Sequence, residues 1–110
     1  MKHMLRALLV AALLLPVGLA GAQEEPVTIK FWHTYNEVSP EHEMLIETLI
    51  PMFEEMHPNI KVVSVPFPYG EFRQALLTAL AGGEGPELAR LDIIWSPEFA
   101  ELGVLATLDE

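Results

Sequence analysis

The sequence contains no cysteine. That absence removes disulfides, thiol nucleophiles, sulfur-based zinc sets and a lipid anchor on an N-terminal cysteine. Cations are also scarce, with six Lys and Arg against 16 Asp and Glu. A surface this acidic repels phosphate backbones and anionic lipid, so neither nucleic acid nor a membrane surface is an expected partner. No Gly-rich phosphate loop follows a strand: Gly82-Gly83-x-Gly85 comes after a helical pattern and reads as a turn. No G-x-S-x-G elbow occurs, and His33, His42 and His57 form no H-x-x-x-H pair. Neither a metal nor a cofactor is expected. The acids Glu37, Glu41 and Glu43 have the composition of a glycosidase carboxylate pair, but they crowd into one turn, where matching the helix dipole explains them. No catalytic residue is assigned.

Long apolar runs are missing too. Residues 8–15 form an apolar stretch well short of the ~20 residues that span a bilayer. Lys2 and Arg6 precede it, Pro16 and Gly18 break it, and Ala20-Gly21-Ala22 offers a small-x-small cleavage site. Residues 1–22 therefore read as a cleavable export signal rather than an N-terminal membrane anchor. Cleavage before Gln23 leaves four cations (Lys30, Lys61, Arg73 and Arg90) against all 16 acids, a net charge of −12. The mature chain is expected to be periplasmic or secreted, and to hold itself together by its core alone.

What remains alternates between two periodicities. Residues 27–35 (VTIKFWHTY) are β-branched and aromatic, as suits a strand buried on both faces. Ser39-Pro40 opens a helix, with serine as N-cap, proline as first helical residue and Glu41 and Glu43 in the first turn. Leu45, Leu49, Met52, Phe53 and Met56 mark its buried stripe, Pro51 should kink or split it, and His57-Pro58-Asn59 ends it. Residues 60–65 form a second strand, residues 69–81 a second helix capped by Gly82-Gly83, and residues 88–94 a third strand. A last helix follows Ser96-Pro97 and stops at Gly103. Strand and helix alternation predicts an α/β fold, β-α-β-α-β-α with parallel strands. The sequence stops at Leu108-Asp109-Glu110 with no closing element, so residues 23–110 are expected to be the first portion of a larger lobe.

Ligand sites in such sheets lie at the carboxyl ends of the strands. His33, Thr34, Tyr35 and Glu37 follow the first strand, with His33 either lining a cleft or sitting satisfied in the core. Asp92 lies in an apolar run where an unpaired carboxylate is costly. It either pairs with Arg90, two residues earlier on the same strand face, or accepts ligand hydroxyls while Trp95 stacks on a ring.

With these residues in view, the chain resembles the N-terminal part of extracellular solute-binding proteins of sugar ABC transporters, the maltose/trehalose-type group. The resemblance rests on TIKFWHTY, FEEMHPNIKV, PY-x-EF-x-x-x-L-x-x-A-L-A-x-G and ARLDIIW-x-PEFAELG-x-L-x-x-LDE in that order. Glu87-Leu88 stands where the family more often shows Pro-Asp-Val or Pro-Asp-Ile. The resemblance implies a periplasmic-binding-protein fold whose second lobe is missing here, a sugar gripped between lobes, delivery to permease subunits, and a monomer. It assigns ligand contact to His33, Thr34, Tyr35 and Glu37, to one of Glu41 and Glu43, to Asp92, and to Trp95 after it. An exported enzyme or a ligand-sensing receptor on the same fold is the alternative.

Overall fold

The computed structural model describes residues 25–109; the export-signal reading of residues 1–22 lies outside the described residues. The elements run β1 (Val27–His33), α1 (Pro40–Met44), a π-helical turn (Leu45–Leu49), α2 (Ile50–Met56), β2 (Ile60–Pro66), α3 (Tyr69–Ala81), β3 (Leu88–Ala89) and α4 (Ser96–Glu101). The expected alternation is therefore present. All three strands are parallel in the order β2-β1-β3, with Val27 opposite Ile60, His33 opposite Pro66, and Trp32 opposite Ala89.

β1 is the central strand, pairing with β2 on one edge and β3 on the other. Its alternation sends Trp32 toward α3 and α4 and Phe31 toward α1 and α2. On the first face Phe72, Leu76 and Phe99 form the buried core, with Trp32, Phe67, Leu80, Leu91 and Trp95 packed around it. Burial of such side chains contributes about 1.5–3 kcal/mol each. On the other face Ile29, Phe31, Leu45 and Phe53 line an open apolar groove of about 310 Å³.

Ser39 caps α1 as its sequence predicts, its Oγ accepting the His42 N–H at 3.3 Å. At Pro51 the helix widens without breaking, its backbone staying right-handed helical through Leu45, Leu49 and Ile50. Proline lacks an N–H and its ring clashes with the carbonyl four residues back. The chain answers by widening a turn: the Ile50 N–H reaches Leu45 O, an i to i−5 bond, and α2 follows with Pro51 in its first turn.

Three boundaries differ from the sequence reading, that of β2 by one residue, at Pro66. β1 ends at His33, two residues short of Tyr35. β3 is only Leu88–Ala89, not residues 88–94. Below β3 the Glu87 carboxylate takes the Lys30 N–H at 2.7 Å, standing in for a strand partner. Above it the Arg90 N–H reaches Trp32 O at 2.8 Å, and then the chain turns. Asp92 makes the turn, its Oδ1 accepting the Ile94 N–H at 3.1 Å and its carbonyl the Trp95 N–H at 3.0 Å.

Of the two readings of Asp92, the ion pair with Arg90 is overturned by that turn. Once the strand stops at Ala89, the two side chains no longer share a strand face. Arg90 instead donates to Thr34 Oγ1 at 3.2 Å and lies over the Tyr35 ring, 4.7 Å from its centroid. The pair that ties the helices together is Arg73 on α3 with Glu98 on α4, a two-pronged contact whose Nε–Oε2 distance is 2.8 Å.

Candidate functional site

The carboxyl ends of β1 and β2 open into a cleft of about 370 Å³. Thr34, Tyr35, Asn36 and Glu37 form one wall, and Phe67, Pro68 and Tyr69 the other. The first wall is held from below by His33, which is fully buried. The Tyr35 N–H donates to His33 Nδ1 at 3.2 Å, and His33 Nε2 lies 2.6 Å from Ser64 Oγ on β2. An acceptor at Nδ1 means that the neutral ring carries its proton on Nε2 and donates it to Ser64. Burial, followed by the charges of His42 and Arg90, holds the His33 pKa below the usual histidine value, with Glu37 opposing. Asn36 closes the loop: its Oδ1 accepts the Val38 N–H at 3.1 Å and its carbonyl the Ser39 N–H at 2.8 Å.

The second wall is aromatic. Pro66 and Pro68 stop β2 and start α3 at Tyr69, whose side chain is half exposed. Its ring stacks on Trp95 at 5.1 Å and 27°, and Trp95 in turn stacks on the core ring of Phe72 at 5.9 Å and 15°. The Tyr69 hydroxyl donates to Asp92 Oδ2 at 2.7 Å. That bond, with the Ile94 N–H second, holds the Asp92 pKa below the usual carboxylate range, and the same bond pushes the Tyr69 pKa up.

The residues singled out in the sequence thus separate into four groups. Thr34, Tyr35 and Glu37 line the cleft directly. His33 lies beneath it, as the satisfied core histidine of its two readings. Asp92 and Trp95 stand behind Tyr69, touching the cleft through that residue. Of the two acids on α1, both exposed, Glu43 shares a neighbouring groove with Glu37 and His42, whereas Glu41 lines neither that groove nor the cleft.

Sequence reasoning missed Asn36, Phe67, Pro68 and above all Tyr69, which was absorbed into the start of a helix. The signal was present as an aromatic residue directly after the proline-marked end of a parallel strand. Among the described residues no group of three or more His, Asp or Glu side chains is placed to hold a metal ion, and no helix is long and apolar enough to cross a membrane. The cleft offers hydroxyl, amide and carboxylate groups beside ring faces, a surface suited to hydrogen bonding and stacking.

A parallel α/β sheet with helices on both faces and an open cleft at its strand ends is the architecture of a ligand-binding lobe. Residues 36–110 match the family described as bacterial extracellular solute-binding protein, and the chain belongs to that family. An uncharacterized protein in the bglA 3′ region of Thermotoga maritima is 36% identical over 91 residues, covering 80% of this chain and 89% of the relative. The GacH receptor of Streptomyces glaucescens, solved unliganded and with acarbose and an acarbose homolog, superposes with a TM-score of 0.66 at 32% identity. That match covers 78% of this chain and 22% of the receptor. The ABC substrate-binding protein Lmo0181 of Listeria monocytogenes, solved with cycloalternan, gives a TM-score of 0.65 at 26% identity over 76% of this chain and 20% of its own. The chain spans about a fifth of the length of these solved proteins.

Proposed function

We propose that the chain forms a first-lobe wall of the cleft in the substrate-binding component of an ABC-type sugar importer. That component captures a neutral mono- or oligosaccharide and delivers it to the membrane permease. The observation that carries the reading is the cleft itself, where the polar loop from Thr34 to Glu37 faces the half-exposed Tyr69 ring. Sugars present hydroxyl edges and apolar ring faces, and this combination meets both. The solved relatives bound to acarbose and to cycloalternan support the same ligand class.

Thr34, Tyr35, Glu37 and Tyr69 make the direct contacts in this reading. Glu43, through the groove it shares with Glu37, is the α1 acid nearer the ligand. Asp92 and Trp95 set the position of Tyr69. The chain is a binding protein rather than an enzyme, it works as a monomer, and residues 1–22 are removed on export. A second lobe closing over the ligand supplies the remaining contacts.

The test is an amide-resolved NMR titration of the chain with maltotriose, a neutral oligosaccharide. With one wall only, affinity is expected in the millimolar range or weaker, where the binding free energy is about −4 kcal/mol or smaller in magnitude. Shifts confined to residues 34–37, Glu43 and Tyr69 support the reading. No shift at those residues at saturating sugar contradicts it.

A further inference from the structure

His33 is the one fully buried ionisable side chain of the described residues, and it touches no ligand surface. Its two ring nitrogens nevertheless join the two strands that end at the cleft. Nε2 reaches Ser64 on β2, and Nδ1 holds the amide of Tyr35, the residue that turns β1 into the cleft wall. We infer that His33 is the positioning residue of this wall: its neutral, Nε2-protonated tautomer, selected by Ser64, fixes the Tyr35 backbone and thereby the loop that faces ligand. The inference rests on the proposed reading of the cleft as a binding site.

The chemistry follows from the lone pair at Nδ1. In the Nε2–H tautomer Nδ1 is an acceptor and the Tyr35 N–H has a partner. Proton uptake places a second N–H at Nδ1, facing the donor of Tyr35, and the bond is lost. A donor aimed at a donor inside a buried site leaves both unsatisfied, so the loop must move for the ring to charge.

Burial and neighbouring positive charge oppose charging. Phe31 on β1 and Tyr35 on the loop place their rings 5.3 Å away, and the His42 ring on α1 lies at 5.6 Å. Arg90, beyond β3, adds positive charge, and Glu37 on the loop is the single opposing group. Glu37 also lines the cleft, so release of the wall on acidification moves a ligand contact together with the Tyr35 ring.

The experiment is histidine ring and backbone amide NMR on the chain, read without sugar and then with maltotriose. At neutral pH the ring nitrogens should show the Nε2–H tautomer, with Nδ1 unprotonated. On acidification the amides of residues 34–37 should shift with the His33 ring at one midpoint, below that of an ordinary histidine. Ser64→Ala removes the partner of Nε2 with little change of volume. It should mix the two tautomers and speed exchange of the Tyr35 amide at least tenfold, leaving α3 amides unchanged. An Nδ1–H ring at neutral pH, loop amides that stay fixed while His33 titrates, or a Ser64→Ala variant with unaltered tautomer and Tyr35 exchange would each overturn the inference. Failure of maltotriose to shift the loop while these ring signatures hold refutes the sugar reading and leaves the positioning role standing.

Discussion

Tyr69 and Asp92 are joined by a 2.7 Å hydrogen bond across 23 residues of sequence. The bond makes a unit of the start of α3 and the turn after β3, and it gives the cleft its aromatic wall. Asp92 is thereby committed twice, to the Tyr69 hydroxyl and to the Ile94 N–H. Each carboxylate oxygen keeps a further lone pair, so a ligand hydroxyl can join the phenol at this group without displacing it.

Tyr69→Phe keeps the ring on Trp95 and deletes the donor. The Asp92 pKa, held low first by that donor, should rise toward the ordinary carboxylate value. A pH titration of the Asp92 carboxyl carbon by NMR checks this. An unchanged midpoint would mean that the Ile94 N–H alone sets it.

The core rests on few side chains. Phe72 is completely buried between the Phe67 and Trp95 rings. Phe72→Ala should cost about 3–5 kcal/mol, against a total of roughly 4–13 kcal/mol for 85 residues at ordinary stability per residue. Urea unfolding should show most of the transition shifted to low denaturant, and a midpoint within error of the parent would contradict the packing described.

Much of this is legible in the sequence. α3 runs from Tyr69 to Ala81 as its apolar spacing predicts, and Ser39 caps α1 as Ser-Pro predicts. The order of elements followed from the change of period between them. The third strand was overread because the apolar Leu91, Ile93 and Ile94 look like strand residues. Periodicity does not reveal that the Asp92 side chain takes the Ile94 amide and bends the chain. The π turn was illegible for a similar reason: Pro51 announces a disturbance, and packing decides whether the helix kinks or widens.

The site divides along the same line. Thr34, Tyr35 and Glu37 were found by position, because residues after a parallel strand face the cleft. Tyr69 escaped because its neighbours formed a convincing helix. The reading of Asp92 as a partner of Arg90 rests on an i, i+2 spacing that holds only while the strand continues.

Gly103 ends α4 at φ 70, the left-handed region. Gly103→Ala should cost about 1–2 kcal/mol. Gly82, the cap residue of α3, has φ −83 and room for a methyl at ordinary contact distance, so Gly82→Ala is expected to be nearly neutral. Thermal unfolding of the two variants separates them, and equal losses would argue against the left-handed assignment.

Acid should weaken the fold in two windows. His33 has a native pKa below its unfolded one, so the unfolded chain binds the proton first. Its contribution is complete above the ordinary histidine value and declines as the pH falls from there through the native pKa. Glu54, Glu87 and Asp92 also have lowered native values, each through backbone or side-chain hydrogen bonds. Their contributions decline only as the pH falls below the ordinary carboxylate range. Urea midpoints measured across pH should show both steps, with the upper one missing from His33→Gln. A single step confined to the carboxylate range would remove His33 from the account.

The central claim is that the Tyr69 ring and the loop after β1 form a sugar-binding wall. Saturation-transfer difference NMR with maltotriose, on the chain and on Tyr69→Ala, tests it most directly. The account predicts transfer to the sugar ring protons from the parent chain and its loss, by tenfold or more, in the variant. Equal transfer from both, or none from the parent, would contradict it.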